Sequence, residues 1–398
     1  MNMLQPFFIL LFWGSIFLIF FSYFIYPAIL IGLKWIIRFR PQKQDHFPPI
    51  SIIISAFNEE KHIGEKIENT LSLDYPTDKF EILIGSDGSL DRTADIVQSY
   101  KDSRIRFFNY PENRGKTAVQ NDLVQESRNP ILIFTDAASF LTPDTLQKLT
   151  QHFADERIGC VAGKMIFTDT QQNLNTASQG LYWNYETALR NLESSLGSMI
   201  GVDGPLYAVR KETFTAVPPH VISDLMVPLL VSQHGRRVVL EPEALVFEAP
   251  TFNAQQEFKT RRRVTLRGLI GIFSYPSLLN PIKHPLLSFQ IISHKLLRWM
   301  VGLLGIVNFL SCISLANISF FFYIFLIYLL FLSLAAIGAV AAKYQINAKV
   351  TRIPYYFCLV NTAALFGTID FLLGKKASTW NTVRKSSTEN TAKSVPDI

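Results

Sequence analysis

Two hydrophobic patterns divide the chain. From Pro6 to Ile37 the only charge is Lys34, and Phe, Leu, Ile, Trp and Tyr dominate the rest. About 20 apolar residues suffice to cross a bilayer, so this segment is predicted to span. It does not read as a cleavable signal, because its charged flank follows an apolar run far longer than a signal's core. Between Pro48 and about Phe247 the period changes. "ISIIISAFN", "FEILIGSDGS", "IRFFNY" and "PILIFTDAAS" are short β-branched or aromatic runs that predict strands. "EEKHIGEKIENTLSL", with Ile63, Ile67 and Leu71 on one face, predicts a helix, as do "DRTADIVQSY", "KTAVQNDLVQES" and "TPDTLQKLTQHF". Such alternation predicts an α/β domain with a mainly parallel sheet wrapped by helices. Beyond it, Val301–Leu315, Ile318–Val340 and Pro354–Leu373 each read as a span. The preceding "LLSFQIISHKLLRW" carries Lys295 and Arg298, which are costly at mid-bilayer, and is predicted to lie in the interface.

The expected organisation is therefore an N-terminal anchor (1–40), a central α/β domain (44–270), an interfacial helix region (271–300), C-terminal transmembrane helices (301–373) and a polar basic tail (374–398). Of the 398 residues 48% are hydrophobic and only 18% charged, which argues against an ordinary soluble enzyme. Lys34, Arg38, Arg40 and Lys43 follow the first span, so the positive-inside rule puts the N-terminus outside and the central domain in the cytoplasm. One span followed by three would return the tail to the outside, yet Lys375, Lys376, Arg384 and Lys385 assign it inside. Either one apolar segment is re-entrant or the count of spans is off by one. The net charge of +6 suits anionic lipid or a phosphorylated substrate, and no basic-aromatic stripe points to nucleic acid. The three cysteines, Cys160, Cys312 and Cys358, are too scattered to indicate a disulfide framework or a zinc site.

In parallel sheets ligands bind beyond the carboxyl ends of the strands, where Ser55–Asn58, Ser86–Ser89 and Asp136–Ser139 form polar turns. No GxGxxG follows the first strand, and "NRGKT" has Tyr110 where a P-loop needs its first glycine. Asp87 could accept a hydrogen bond from a ligand imide such as uracil N3–H, or could belong to an Asp-Gly turn that binds nothing. Asp136 could reach a divalent cation holding a diphosphate, since such a cation uses only one or two carboxylates, or could be a structural strand-end residue. Arg114 and Lys116 precede a helix, where they could meet phosphates or simply be solvated. Asp224, set among the apolar residues of "VISDLMVPLL", reads either as a base of raised pKa or as a helix N-cap.

In order along the chain come "ISAFNEE", "SDGSLDRT", "ENRGKTAVQN", "FTDAAS", "GPLYAVRKETF", "ISDLMVPLLVSQHGRRVVLEPEALVFE" and "EFKTRRRVTLRG". Over roughly residues 48–270 this series resembles the membrane-bound glycosyltransferases of family 2, the hyaluronan, chitin and cellulose synthase-like group. The resemblance implies a GT-A fold and inverting transfer of a sugar from a nucleotide-sugar donor, expected to be a UDP-sugar. It also implies Mg²⁺ or Mn²⁺ and a glycan or lipid-linked acceptor, in cell-surface polysaccharide or glycolipid synthesis at the plasma or inner membrane. Asp87 would hold the base, with Ala56, Asn58 and Glu59 beside it, and Lys116 would support the nucleotide. Asp136 is similar to the first aspartate of the family's DxD motif, Asp224 to its general base, and Arg263 to the arginine of QxxRW. Gly204, Pro205 and Arg210 would lie at the acceptor face. The chain departs from the pattern in Ala138 for the second DxD aspartate, Ser223 for an acid before the base, and Thr260 and Val264 for the Gln and Trp of QxxRW. The last change speaks against processive synthesis, and Arg262 is the alternative register for the arginine. Two other readings are a polyprenyl-phosphate glycosyltransferase, against which the arginine-rich "KTRRRVTLRG" stands, and a non-catalytic nucleotide-sugar-binding pseudoenzyme.

Overall fold

The computed structural model describes residues 4–37, 39–168, 174–249, 254–344, 346 and 348–376. Arg38, Arg384 and Lys385, and with them most of the polar tail, lie outside the described residues. The central domain is built on one mixed sheet of eight strands in the order β3-β2-β1-β4-β7-β6-β8-β5. Its strands are β1 (Ile50–Ala56), β2 (Phe80–Asp87), β3 (Ile105–Tyr110), β4 (Ile131–Asp136), β5 (Ser139–Leu141), β6 (Ile158–Phe167), β7 (Leu206–Arg210) and β8 (Arg237–Glu248). The first four strands in sequence are mutually parallel, joined through helices α3 (Ile63–Leu71), α4 (Thr93–Ser99) and α5 (Lys116–Glu126). Every residue of β1 is buried, as a central strand covered on both faces requires. Ile52 and Ile54 pack with Ile63 and Ile67 of α3, while Ile53 packs on the other face with Val119 and Leu123 of α5. Each such side chain contributes about 1.5–3 kcal/mol by leaving water.

This winding brings Ala56, Asp87 and Asp136 to one edge of the sheet, with Ala56 opposite Ser86 and Ser55 opposite Asp136. The direction then reverses. Strand β7 runs antiparallel to β4, pairing Leu206 with Thr135 and Arg210 with Ile131. Its first residues therefore reach the ligand edge, and its last residue lies at the opposite end. Helices α6 (Thr145–Thr150), α7 (Leu174–Ser195), α8 (Ser223–Gln233) and α9 (Ala254–Ser274) complete the domain.

Outside the sheet, α1 (Gln5–Phe20) and α2 (Tyr26–Ile36) join through a π-helical turn into one apolar rod. The expected interfacial helix and the span after it likewise merge: α10 (Pro285–Gln290), a π-turn (Ile291–Leu296) and α11 (Leu297–Ser314) are continuous. With α12 (Ser319–Lys343) and α13 (Arg352–Leu372) they make four described helices long and apolar enough to cross a membrane. Lys295 and Arg298 are not accommodated by snorkelling to an interface, as their charge suggests, but by ion pairs inside the protein. Lys295 Nζ lies 3.2 Å and Arg298 Nη1 2.8 Å from the carboxylate of Glu186 on α7. His294 bridges Glu186 at 2.9 Å and Glu193 at 2.8 Å, Tyr26 donates to Glu193 at 2.5 Å, and Arg190 pairs with both Glu186 and Asp203. This buried network joins the first membrane rod, α7 and the start of the second rod to the loop before β7.

Candidate active site

Two turns at the sheet edge lock together first. Asn58 adopts φ +54°, a left-handed conformation that asparagine tolerates, and its Oδ1 accepts from the Leu90 amide at 2.8 Å. The amides of Asn58, Glu59 and Glu60 donate to Ser89 Oγ, Thr93 Oγ1 and Asp91 Oδ2. Ala56 is fully buried and contributes only backbone at the mouth. Gly88, at φ +68°, is required where it stands, because a Cβ would lie 2.7 Å from the Asn113 nitrogen.

Asp87 has partners that its sequence context did not indicate. It has no exposed surface, and its two carboxylate oxygens accept the amides of Arg114 at 2.9 Å and Gly115 at 2.7 Å. Both oxygens are thus engaged by backbone donors at the start of α5. In this arrangement Asp87 fixes the turn that delivers Lys116.

The Lys116 ammonium contacts the Asp136 carboxylate at the end of β4. Lys116 and Asp224 face Gly204, at which a Cβ would stand 3.4 Å from Lys116 Nζ and 2.8 Å from Asp224 Oδ2. Glycine here lets the Asp224 carboxylate and the Lys116 ammonium approach the backbone more closely than a Cβ would allow, with the half-buried Pro205 beside them. Asp224 lies in the first turn of α8, which has no side-chain cap, so the N-cap reading does not hold. The turn is fastened elsewhere: Ser223 Oγ donates to Gln120 at 2.7 Å, and the Asp224 carbonyl accepts the Val202 amide at 2.9 Å. Burial pushes the Asp224 carboxyl above its ordinary value, and Asp136 adds to the shift while Lys116 and Arg267 oppose it.

The three adjacent arginines of α9 divide their work. Arg261 pairs with Glu257 at 2.8 Å and lies over the Tyr182 ring, and Arg262 grips Asp370 with two bonds at 2.5 and 2.8 Å. Arg263 has no ion-pair partner among the described residues. Desolvation lowers its pKa, and the opposing influence is the charge of Asp224. The structure thus brings together Lys116, Asp136, Gly204 and Asp224, with Arg263 in their field. Arg210 is not among them. It sits at the far end of β7, donating to the carbonyls of Ile158 at 2.8 Å, Phe153 and Asp155, and it stacks on the Phe153 ring. The antiparallel entry of β7 carries it to the end of the sheet opposite Gly204.

Two further residues support the site. Lys66 of α3 is fully buried, donating to Thr135 Oγ1 at 2.9 Å and the Ser139 carbonyl at 2.6 Å, and so it ties down both ends of the Asp136 turn. Burial drops its pKa to about 7, against the opposing pull of Asp136. Arg267 clamps the approach to α8 through the carbonyls of Val221 at 2.7 Å and Pro219 at 2.9 Å. The signal for Lys66 was a lysine within the buried helical series Ile63, Lys66, Ile67, Thr70.

With this geometry in view, residues 51–213 match the family model described as glycosyl transferase family 2. The chain carries a family 2 glycosyltransferase domain. Poly-β-1,6-N-acetyl-D-glucosamine synthase of Staphylococcus aureus is 23% identical over 248 residues, which cover 57% of this chain and 60% of that protein. The alignment thus spans less than two thirds of that relative's length. β-Monoglucosyldiacylglycerol synthase of Synechocystis is 28% identical over 138 residues, covering 34% of this chain and 29% of the relative. Among solved structures, the mannosyltransferase PcManGT from Pyrobaculum calidifontis, in complex with GDP-Man and Mn²⁺, superposes with a TM-score of 0.69 at 19% identity. The superposition covers 94% of this chain and all of that one, so the glycosyltransferase domain has the GT-A fold.

Proposed function

We propose that this chain is a membrane-bound inverting glycosyltransferase, moving a sugar from a nucleotide-sugar donor of the UDP-sugar kind to a hydroxyl of a glycan or lipid-linked acceptor. Its domain would work at the cytoplasmic face of the cell membrane, in the synthesis of surface polysaccharide or glycolipid. The convergence of Lys116, Asp136 and Asp224 beside Gly204 carries this reading.

In the proposed reaction the acceptor hydroxyl gives its proton to the Asp224 carboxylate as its oxygen attacks the anomeric carbon. The bond from that carbon to the diphosphate oxygen breaks, and the nucleoside diphosphate leaves with the electron pair. A base of raised pKa suits this work, because proton transfer is most efficient when the pKa lies nearer the working pH. Lys116 and Arg263 place positive charge where the leaving diphosphate gains negative charge. Among the described residues no group of three or more metal-ligating side chains is present, and Asp136, at the end of β4, is the carboxylate that pairs with Lys116. One carboxylate fits a Mg²⁺ or Mn²⁺ ion whose other positions are filled by phosphates and water. Such an ion, held by Asp136, would supply charge neutralisation at the diphosphate.

The test is a panel of UDP- and GDP-sugars offered to membranes containing the chain, read as release of nucleoside diphosphate. Release from one donor, increased by a lipid or glycan extract, is the expected result. Binding of a donor without release from any would move the chain to the non-catalytic reading.

A further inference from the structure

We propose that α13 does not cross the membrane but lies in its plane on the catalytic side, forming with α9 a two-helix platform at the lipid surface. The inference rests on the membrane-bound reading above and adds a topology to it.

Helix α9 belongs to the catalytic domain: Arg267 holds the Val221 carbonyl at 2.7 Å, and Gly271 abuts Met226 of α8. Helix α13 runs alongside α9 from one end to the other. Near its start Tyr356 donates to Glu257 at 2.7 Å. Farther on Gly367 lies so close to the Arg262 backbone that a Cβ would stand 2.6 Å from its carbonyl oxygen. At its end the Phe371 ring stacks on Phe273 at 5.4 Å, and Asp370 takes two bonds from Arg262. A helix of 21 residues is about 31 Å long, enough to span, but a spanning helix would part from α9 as it descended.

The crossing of α11 fixes the depth. Trp299 of α11 packs on Gly268 of α9, and Gly302 packs on the Asn361 backbone of α13. Those two α11 residues are separated by a rise of only about 4.5 Å, so α9 and α13 meet the membrane helix at one level. That level is the catalytic end of α11, next to the pairing of Arg298 with Glu186. Helix α12 has already returned there: Phe325 faces Phe309, Tyr328 bonds Asn308 at 2.6 Å, and Gly338 reaches Tyr355 at the start of α13. Away from its contacts with α9, α13 exposes Ile353, Ile369 and Leu372. An apolar face continuous with the spanning helices, beside a polar face buried on α9, is what an interfacial helix presents. The spans then number three, and Lys375 and Lys376 fall on the same side as the basic residues after α2, as the positive-inside rule requires.

The experiment uses the full chain with its three cysteines replaced by alanine and a single cysteine restored by Ala316→Cys or Lys376→Cys. A membrane-impermeant maleimide is applied to intact and permeabilised cells. Labelling of Ala316→Cys in intact cells, and of Lys376→Cys only after permeabilisation, is expected. Labelling of both in intact cells would mean that α13 spans. A fluorescent protein that matures only in the cytoplasm, fused after Ile398, gives an independent reading: fluorescence is expected, and its absence with full-length protein present overturns the proposal. Alkaline carbonate extraction separates the two levels of inference, since release of the chain would overturn the membrane reading itself.

Discussion

The two halves of the sheet's ligand edge treat charge in opposite ways. At the β1–β2 end most polar groups bond one another: Asp87 accepts two amides, and Asn58, Ser89, Asp91 and Thr93 bond one turn to the other, with the buried Ser55 hydroxyl the exception. At the β4–β7 end Lys116, Asp136 and Asp224 crowd together beside Gly204, and Asp224 is held with its carboxyl above the ordinary range. The first half is a frame that loses stability when altered. On the proposed function the second meets the substrate, so altering it should cost rate before it costs stability.

Asp224→Asn tests this with the largest effect. Loss of the proton acceptor should lower the transfer rate by about 10²–10⁴-fold with donor binding nearly unchanged. Stability should not fall. The folded pKa is raised above the usual 3.8, so as pH climbs from there through the folded value, the folded state keeps a proton that the unfolded state has released. Above that window the cost of the buried charge is fully present, and asparagine removes it. A melting temperature at neutral pH equal to or above that of the unaltered chain is therefore expected; a fall of several degrees would put Asp224 in the frame.

Asp87→Asn should do the reverse. The amide can accept from only one side, so one of the Arg114 and Gly115 amides faces a donor, at a cost of about 1–3 kcal/mol. Denaturant unfolding of the detergent-solubilised chain should register that loss, together with weaker donor binding as Lys116 shifts. Unchanged stability with donor affinity alone reduced would return Asp87 to direct contact with the base.

The smallest effect expected is about tenfold in rate for Arg263→Lys, which keeps the charge but loses the planar fork. Arg261→Lys and Arg262→Lys should leave turnover largely intact and lower the melting temperature instead, because their partners are Glu257 and Asp370. If Arg262→Lys cuts turnover and Arg263→Lys does not, the motif reads one residue earlier.

The sequence made the sheet legible because its strands are covered on both faces and therefore read as unbroken β-branched runs. The strand-end turns were legible for the same reason, since each run stops abruptly at polar residues. Arg210 was misplaced because a strand carries sequence neighbours steadily apart: four residues separate it from Leu206, which is about 13 Å along an extended chain. The backbone partners of Asp87 could not be foreseen, because amides leave no trace in residue type. Lys295 and Arg298 suggested an interfacial helix because the neutralising Glu186 lies more than a hundred positions earlier in the chain.

The network that binds Glu186 and Glu193 to His294, Lys295, Arg298 and Tyr26 also decides how the protein can be divided. A fragment limited to the central domain would keep both glutamates and Arg190 but lose the membrane-side groups that neutralise or bond them. Removing one partner of a buried pair typically costs about 3–5 kcal/mol, and here several would go at once. The loop holding Asp203, next to Gly204, is tied to Arg190 of that same network. Catalytic domain and membrane helices are thus one folding unit, and the protein has to be produced and purified whole.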